Sequence, residues 1–231
     1  MATRQLVLWD VDGTILSENR ACYSSVLRAL TNVYCVMPNS PLKGSAGSTD
    51  EQIVIDALID CGFSVEDVTP RLSAFAAHYY ELLQAGFADL RSRMTLLPGV
   101  AAVMAHLRCL GAVQTLLTGN LECVARLKLA AVGLEGYLDL GVGAYGSDDR
   151  VRANLVPIAL SKASEKYRCG FSPIVVIGDT PKDIACGNAA GVRAVAVATG
   201  DFSAVELLAH RPNAVLENLT DTSNSVTAIL G

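Results

Sequence analysis

Three stretches of this 231-residue chain place polar groups directly after a strand-like run, and the groups are of the kinds that hold a divalent cation and an oxyanion. Leu6, Val7, Leu8 and Trp9 run into Asp10, Val11 and Asp12, with Gly13 and Thr14 following at once. Residues 113–117 run into Thr118, Gly119 and Asn120, and residues 174–177 into Gly178 and Asp179, with Asp183 shortly after. Carboxylates are hard oxygen ligands, so Asp10 and Asp179 on one cation suit Mg²⁺ better than Zn²⁺. Gly13 lets the chain turn tightly and expose N–H groups beside the acids, and Thr118 with the N–H groups after it offers neutral donors to a phosphate. Asp, Gly and Thr are also ordinary turn residues, so the D-x-D-G tetrad alone leaves a purely structural reading open.

These groups meet only if the strands that carry them are neighbours. The short apolar runs have the character of strands buried on both faces, and helical periodicity fills the intervals between them. After residue 99 the order is helix 100–110, strand 113–117, helix 121–131 closed near Gly133, and a weaker strand at 138–142. It continues with helix 154–167, strand 174–177, a helix opened by Thr180 and Pro181, strand 194–198, a short edge strand at 214–216 and a C-terminal helix. This alternation predicts an α/β fold, a mainly parallel Rossmann-like sheet with helices on both faces. Ligands of such sheets gather outside the carboxyl ends of the strands, where all three polar groups lie. Residues 17–95 carry helical spacing only (18–34, 50–60 and 68–90, broken near Gly86). They read as an all-helical block inserted into a core made of 1–16 and 96–231.

Composition narrows the partners. With 18 Lys and Arg against 23 Asp and Glu, the net charge is -5 and no basic stripe is present, which argues against a nucleic-acid surface. No apolar run is long enough to span a bilayer, and the first strand begins too close to Met1 for a targeting peptide, so the expected location is the cytoplasm. The seven cysteines are odd in number and contain no C-x-x-C pair, as expected of reduced thiols. Residues 141–146 match G-x-G-x-x-G, but the polar run at 147–150 follows in place of a helix, so the segment reads as a loop.

The ordered motifs DVDGT at 10–14, LLTGN at 116–120 and GDTPKD at 178–183, with a helical insert after the first, resemble the haloacid dehalogenase superfamily from end to end of the chain. Within it the pattern is similar to phosphatases of the phosphoglycolate phosphatase type, with a helical cap between the first two motifs. The resemblance implies a hydrolase that uses Mg²⁺ and an aspartyl-phosphate intermediate. Asp10 would be the nucleophile. Asp12 would protonate the leaving alkoxide, then activate water, and lend its backbone carbonyl to the metal. Asp179 would complete the metal site, while Gly13, Thr14, Thr118, Gly119 and Asn120 would surround the phosphate. Asp183 is open between two compatible roles, supporting the metal and capping the helix that Thr180 and Pro181 start. The superfamily's basic motif is usually a lysine, and none stands in the expected place. Arg152 is the candidate, with a surface charge as the alternative; Lys162 and Lys166 lie farther along the helix and are expected to be solvated.

In this family the cap closes over the site, with 16–20 and 90–97 as the connections that could flex. The loop at 44–50 is the natural segment to face the substrate and carries Ser45, Ser48, Thr49 and Asp50. Lys43 is the only lysine in the cap, which disfavours a highly anionic second group on the substrate. The expected partner is a small phosphate ester, and the expected assembly a monomer or homodimer. A phosphosugar mutase of the same superfamily is the alternative, since LKG at 42–44 resembles its cap. The arginine that should follow is absent, with Gly47 near its place. Phosphonate hydrolysis and dehalogenation fit less well because Asp12 is present. A binding protein without catalysis has only the unusual basic motif in its favour.

Overall fold

The computed structural model describes residues 4–18, 20–38 and 46–231. Ser45 and the 42–44 stretch therefore lie outside the described residues, as does Asn19 in the first connection. β1 (Arg4–Trp9) is followed by the short β2 (Leu16–Ser17) and then by the helical insertion: α1 (Tyr23–Tyr34), α2 (Asp50–Ile59), α3 (Val65–Val68), α4 (Leu72–Ala85) and α5 (Phe87–Arg93). The break between α4 and α5 falls at Gly86. β3 (Thr95–Leu96) pairs antiparallel with β2, so the chain leaves the sheet and returns to it side by side. The remainder alternates: α6 (Val100–Cys109), β4 (Val113–Leu116), α7 (Glu122–Val132), α8 (Leu155–Tyr167), β5 (Phe171–Gly178), α9 (Pro181–Ala189), β6 (Arg193–Val197), α10 (Ala204–Leu208), β7 (Ala214–Leu216) and α11 (Thr222–Leu230).

β1, β4, β5, β6 and β7 form one parallel sheet in the order β4-β1-β5-β6-β7. Successive side chains of a strand point to opposite faces, and β1 shows it. Val7 and Trp9 belong to the core shared with α6, α7, α11 and the insertion, whereas Leu6 and Leu8 pack with α8 on the other face. Both faces are covered, which is why these strands read as continuous apolar runs. Trp9 also donates its indole N–H to Gln114 Oε1 at 3.2 Å, and Gln114 passes the connection on to the Met104 carbonyl, so the buried amide is satisfied.

One expected strand is absent. Residues 138–142 form no ladder; beyond a 3₁₀ turn at Glu135–Tyr137 the chain makes one isolated bridge, Leu117 to Ala144. The Asp139 carboxylate accepts the Gly141 N–H at 3.2 Å, a local turn bond that competes with strand pairing. α10 and the β2–β3 ribbon are additions that apolar periodicity does not signal, because each is five residues or shorter.

Candidate active site

Because β1 lies between β4 and β5, the loops after these three strands share one rim of the sheet. Asp10 follows β1 directly, its N–H still bonded to the Ile177 carbonyl of β5 at 2.9 Å. Asp179 follows β5, and Asp183 lies in the first turn of α9. All three are buried, and a carboxylate oxygen from each lies within 4.8 Å of the others. Gly13 sits opposite at φ +78°, a conformation open to glycine, and a Cβ there would collide with the Asp179 carboxylate. Thr14 Oγ1 donates to Asp179 Oδ1 at 3.0 Å and so orients the acid from below.

Thr180 and Asp183 form a capping box at the start of α9, with Pro181 at its first position. Capping takes only Asp183 Oδ2; its Oδ1 meets Arg152. The 3₁₀ turn at Arg152–Asn154 carries that arginine inward, and only 8% of it is exposed. One Nη2 donates to Asp10 Oδ1 at 2.8 Å as well as to Asp183, and Nη1 donates to the Gly47 carbonyl at 3.0 Å. The buried Nε has no partner among the described residues. A surface role for Arg152 is thus excluded. Lys162 is held at the side of the rim by the Gly143 carbonyl and Asp148, so it is not freely solvated, and Lys166 pairs with Asp139.

On the other side of β1, Asp12 Oδ2 accepts from Asn120 Nδ2 and from Lys128 Nζ, both at 2.7 Å, while Oδ1 is buried without a partner among the described residues. Asn120 Nδ2 also reaches Thr118 Oγ1 at 2.9 Å, which joins the first and second motifs. Lys128 is 3% exposed and pairs in addition with Glu18 at 2.9 Å. Neither Lys128 nor Glu18 stands in a motif. The available signal is the spacing in α7: Lys128 falls on the buried stripe with Val124, Ala125 and Leu129, where a lysine needs a partner.

The electrostatics of the two sides differ. Burial pushes the Asp10 carboxyl up to about 7; Arg152 opposes this, and the neighbouring Asp183 and Asp12 add to it. Asp179 is pushed up to about 8 by burial and by the charges of Asp10 and Asp183. For Arg152 burial works against the charge, but Asp183 and Asp10 outweigh it and hold the guanidinium firmly ionised. Asp12 is raised by burial against the pull of Lys128. Burial would also raise Glu18, yet Lys128 holds it below its ordinary value.

The expected specificity loop is committed elsewhere in part. Thr49 Oγ1 accepts the Gln52 N–H as N-cap of α2 and donates to the Arg150 carbonyl at 3.0 Å. The Asp50 N–H donates to the Gly119 carbonyl, and Asp50 Oδ2 accepts the Leu121 N–H, each at 2.8 Å. Ser48 pairs with Lys182. The insertion is docked by these groups onto the loops after β4 and β5.

The HAD-hydrolase-like family model matches residues 151–222 of this chain, the stretch that carries Arg152, Asp179 and Asp183. "Tyrosine-protein kinase PtkA" of Mycobacterium tuberculosis is 27% identical over 196 residues, 85% of this chain, and this chain spans 62% of that protein's length. "Probable phosphatase IndB" of Dickeya dadantii is 23% identical over 98% of this chain and 95% of its own. The crystal structure of a predicted phosphatase from Clostridium acetobutylicum superposes with a TM-score of 0.73 at 18% identity, covering 99% of this chain and 100% of that one, a likeness of fold.

Proposed function

Because this chain is a haloacid dehalogenase-like hydrolase, we propose that it is a Mg²⁺-dependent phosphatase that hydrolyses small phosphate monoesters through an aspartyl-phosphate on Asp10. The observation that carries this reading is a cation seat and an anion seat set against one carboxylate. Asp10, Asp179 and Asp183 converge, while Arg152 holds Asp10 and keeps a buried Nε without a partner among the described residues.

The residues present fit Mg²⁺. Three hard oxygens lie within reach of one ion, and two of the acids are forced towards neutrality when no cation balances them. Asp10, Asp179 and the Asp12 carbonyl would hold it, with Asp183 in support. When bound, it neutralises charge on the phosphoryl oxygens. Arg152, Thr118 and the N–H groups of 119–120 orient the phosphoryl group. An Asp10 oxygen attacks phosphorus as the ester P–O bond breaks, and Asp12 Oδ1 gives its proton to the leaving alkoxide. Asp12, now a carboxylate, takes a proton from the water that attacks phosphorus, and phosphate leaves as Asp10 is regenerated. Residues 17–95 act as a cap that excludes other water during these steps. The seven unpaired cysteines suit a reducing compartment, and we place the enzyme in the cytoplasm.

The test is phosphate release from phosphoglycolate, sugar phosphates, nucleoside monophosphates and acyl phosphates, with Mg²⁺ and with EDTA. Metal-dependent release with a preferred ester is expected. No release from any of them with metal present would defeat the reading; labelling of Asp10 by a bisphosphate would then favour a phosphosugar mutase, which returns the phosphoryl group to a sugar hydroxyl.

A further inference from the structure

Lys128 is a buried cation that the reaction above does not use. Its Nζ lies 2.7 Å from Asp12 Oδ2 and 2.9 Å from Glu18, and Asn120 takes the same Asp12 oxygen at 2.7 Å. One oxygen of Asp12 is therefore doubly occupied and the other, Oδ1, has no partner among the described residues. Glu18 comes directly after β2, where the chain leaves the sheet for the insertion, and α7, which carries Lys128, packs against α4 and α5 of that insertion. Lys128 thus touches the proposed acid, the connection to the cap and, through its helix, the cap itself.

We propose that Lys128 is a positioning residue: by holding Asp12 Oδ2 while bound to Glu18, it presents Oδ1 to the leaving group when the insertion is seated as seen here. The inference rests on the phosphatase reading. Proton delivery depends on geometry at the level of an ångström, so an Asp12 free to rotate would lose much of its efficiency as an acid, whereas phosphate binding and attack by Asp10 would be largely spared.

The consequence depends on the leaving group. A nitrophenolate departs without a proton; an alkoxide does not. The experiment measures kcat/KM, which covers the steps up to departure of the leaving group, for p-nitrophenyl phosphate and for the alkyl ester released fastest in the panel above. For Lys128→Met the alkyl ester should lose about 10- to 100-fold more than the aryl ester. Since Lys128→Met leaves Asp12 and Glu18 without their cation, the double variant Glu18→Gln/Lys128→Met, which removes one charge of each sign, serves where the single variant does not fold, with the same selective loss expected. Equal losses on both esters in the folded variant would overturn the proposal and leave the phosphatase reading standing. If the unsubstituted enzyme released phosphate from neither ester with Mg²⁺ present, the phosphatase reading would fail and this proposal with it.

Discussion

Two groups of charge flank the end of β1, the first buried and the second with half-buried acids around a buried lysine, and each has one cation to three carboxylates. Arg152 goes with Asp10, Asp179 and Asp183; Lys128 goes with Asp12, Glu18 and Asp50. The formal count is the same and the physics is not. In the first group the carboxylates come from the core alone and converge to within 4.8 Å; burial, with the neighbouring acids adding to it, pushes Asp10 up to about 7 and Asp179 up to about 8. In the second the acids arrive from the core, the connection and the insertion: Asp12 and Glu18 share Lys128, Asp12 also takes the Asn120 amide, and Asp50 takes the Leu121 N–H; burial raises Asp12 and pushes Asp50 up to about 6, while Lys128 holds Glu18 below its ordinary value. Convergence, rather than the number of acids, makes a place for a divalent ion; dispersal around one lysine makes a joint.

The sharpest way to break this comparison is to neutralise one acid in each group. Asp10→Asn should reduce turnover by about 10⁴-fold or more, because the proposed nucleophile is gone. It should also raise the thermal midpoint of the metal-free protein, since it removes a charge from a crowded, buried set. Glu18→Gln should lower that midpoint, at a cost of about 1–2 kcal/mol, because the Glu18 charge is favoured by Lys128. Calorimetry with EDTA present decides it: shifts of the same sign in both variants would show that the two groups are equivalent.

A pH series sharpens the same contrast. Asp10 and Asp179 have folded-state values raised above the ordinary carboxylate value, so between about pH 4 and pH 8 the folded, metal-free protein binds more protons than the unfolded chain. Its stability should therefore fall as pH rises through that window. Mg²⁺ must displace those protons, so its affinity should increase from pH 6 to pH 8, as read by calorimetric titration. Affinity independent of pH over this range would show that the acids are already ionised without the metal.

How much of this was legible in the sequence follows from the range of each signal. The three motifs, the parallel α/β core and the helical insertion follow from local features: apolar runs, helical spacing, the Thr180-Pro181 start of α9. The 138–142 stretch reads as a strand because it packs beside β4, yet it makes only one backbone bond to it, from the Asp139 N–H to the Gln114 carbonyl, and no ladder. Lys128 and Glu18 were missed because their burial arises only where α7, the β2 connection and the loop after β1 meet, contacts more than 100 residues apart for Lys128 and Asp12. Thr49 and Asp50 were expected to face a substrate, and the bonds they make to the Arg150 carbonyl and the Leu121 N–H are equally nonlocal.

The joint itself can be loosened at its closest approach. A Cβ on Gly119 would run into the Ser48 carbonyl, so Gly119→Ala should push the 46–50 segment off the rim while leaving the metal cluster in place. Overpacking of this kind costs about 1–3 kcal/mol. The expected result is a higher KM and faster proteolysis within 17–95, with Mg²⁺ affinity unchanged; a fall in metal affinity would mean that the two groups of charge are not separable.

The smallest effect belongs to Thr49, whose hydroxyl serves both regions at once. It caps α2 by accepting the Gln52 N–H and ties the insertion to the core by donating to the Arg150 carbonyl. Thr49→Ala removes both bonds and should cost about 1 kcal/mol, the usual value for an N-cap. Thr49→Ser keeps an oxygen and a hydrogen in the same place and should restore the stability. If the core contact adds nothing to the capping bond, Thr49→Ala will lower stability with KM unchanged. If the hydroxyl also seats the insertion, KM will rise in Thr49→Ala and return in Thr49→Ser, which separates a helix cap from a hinge contact made by the same atom.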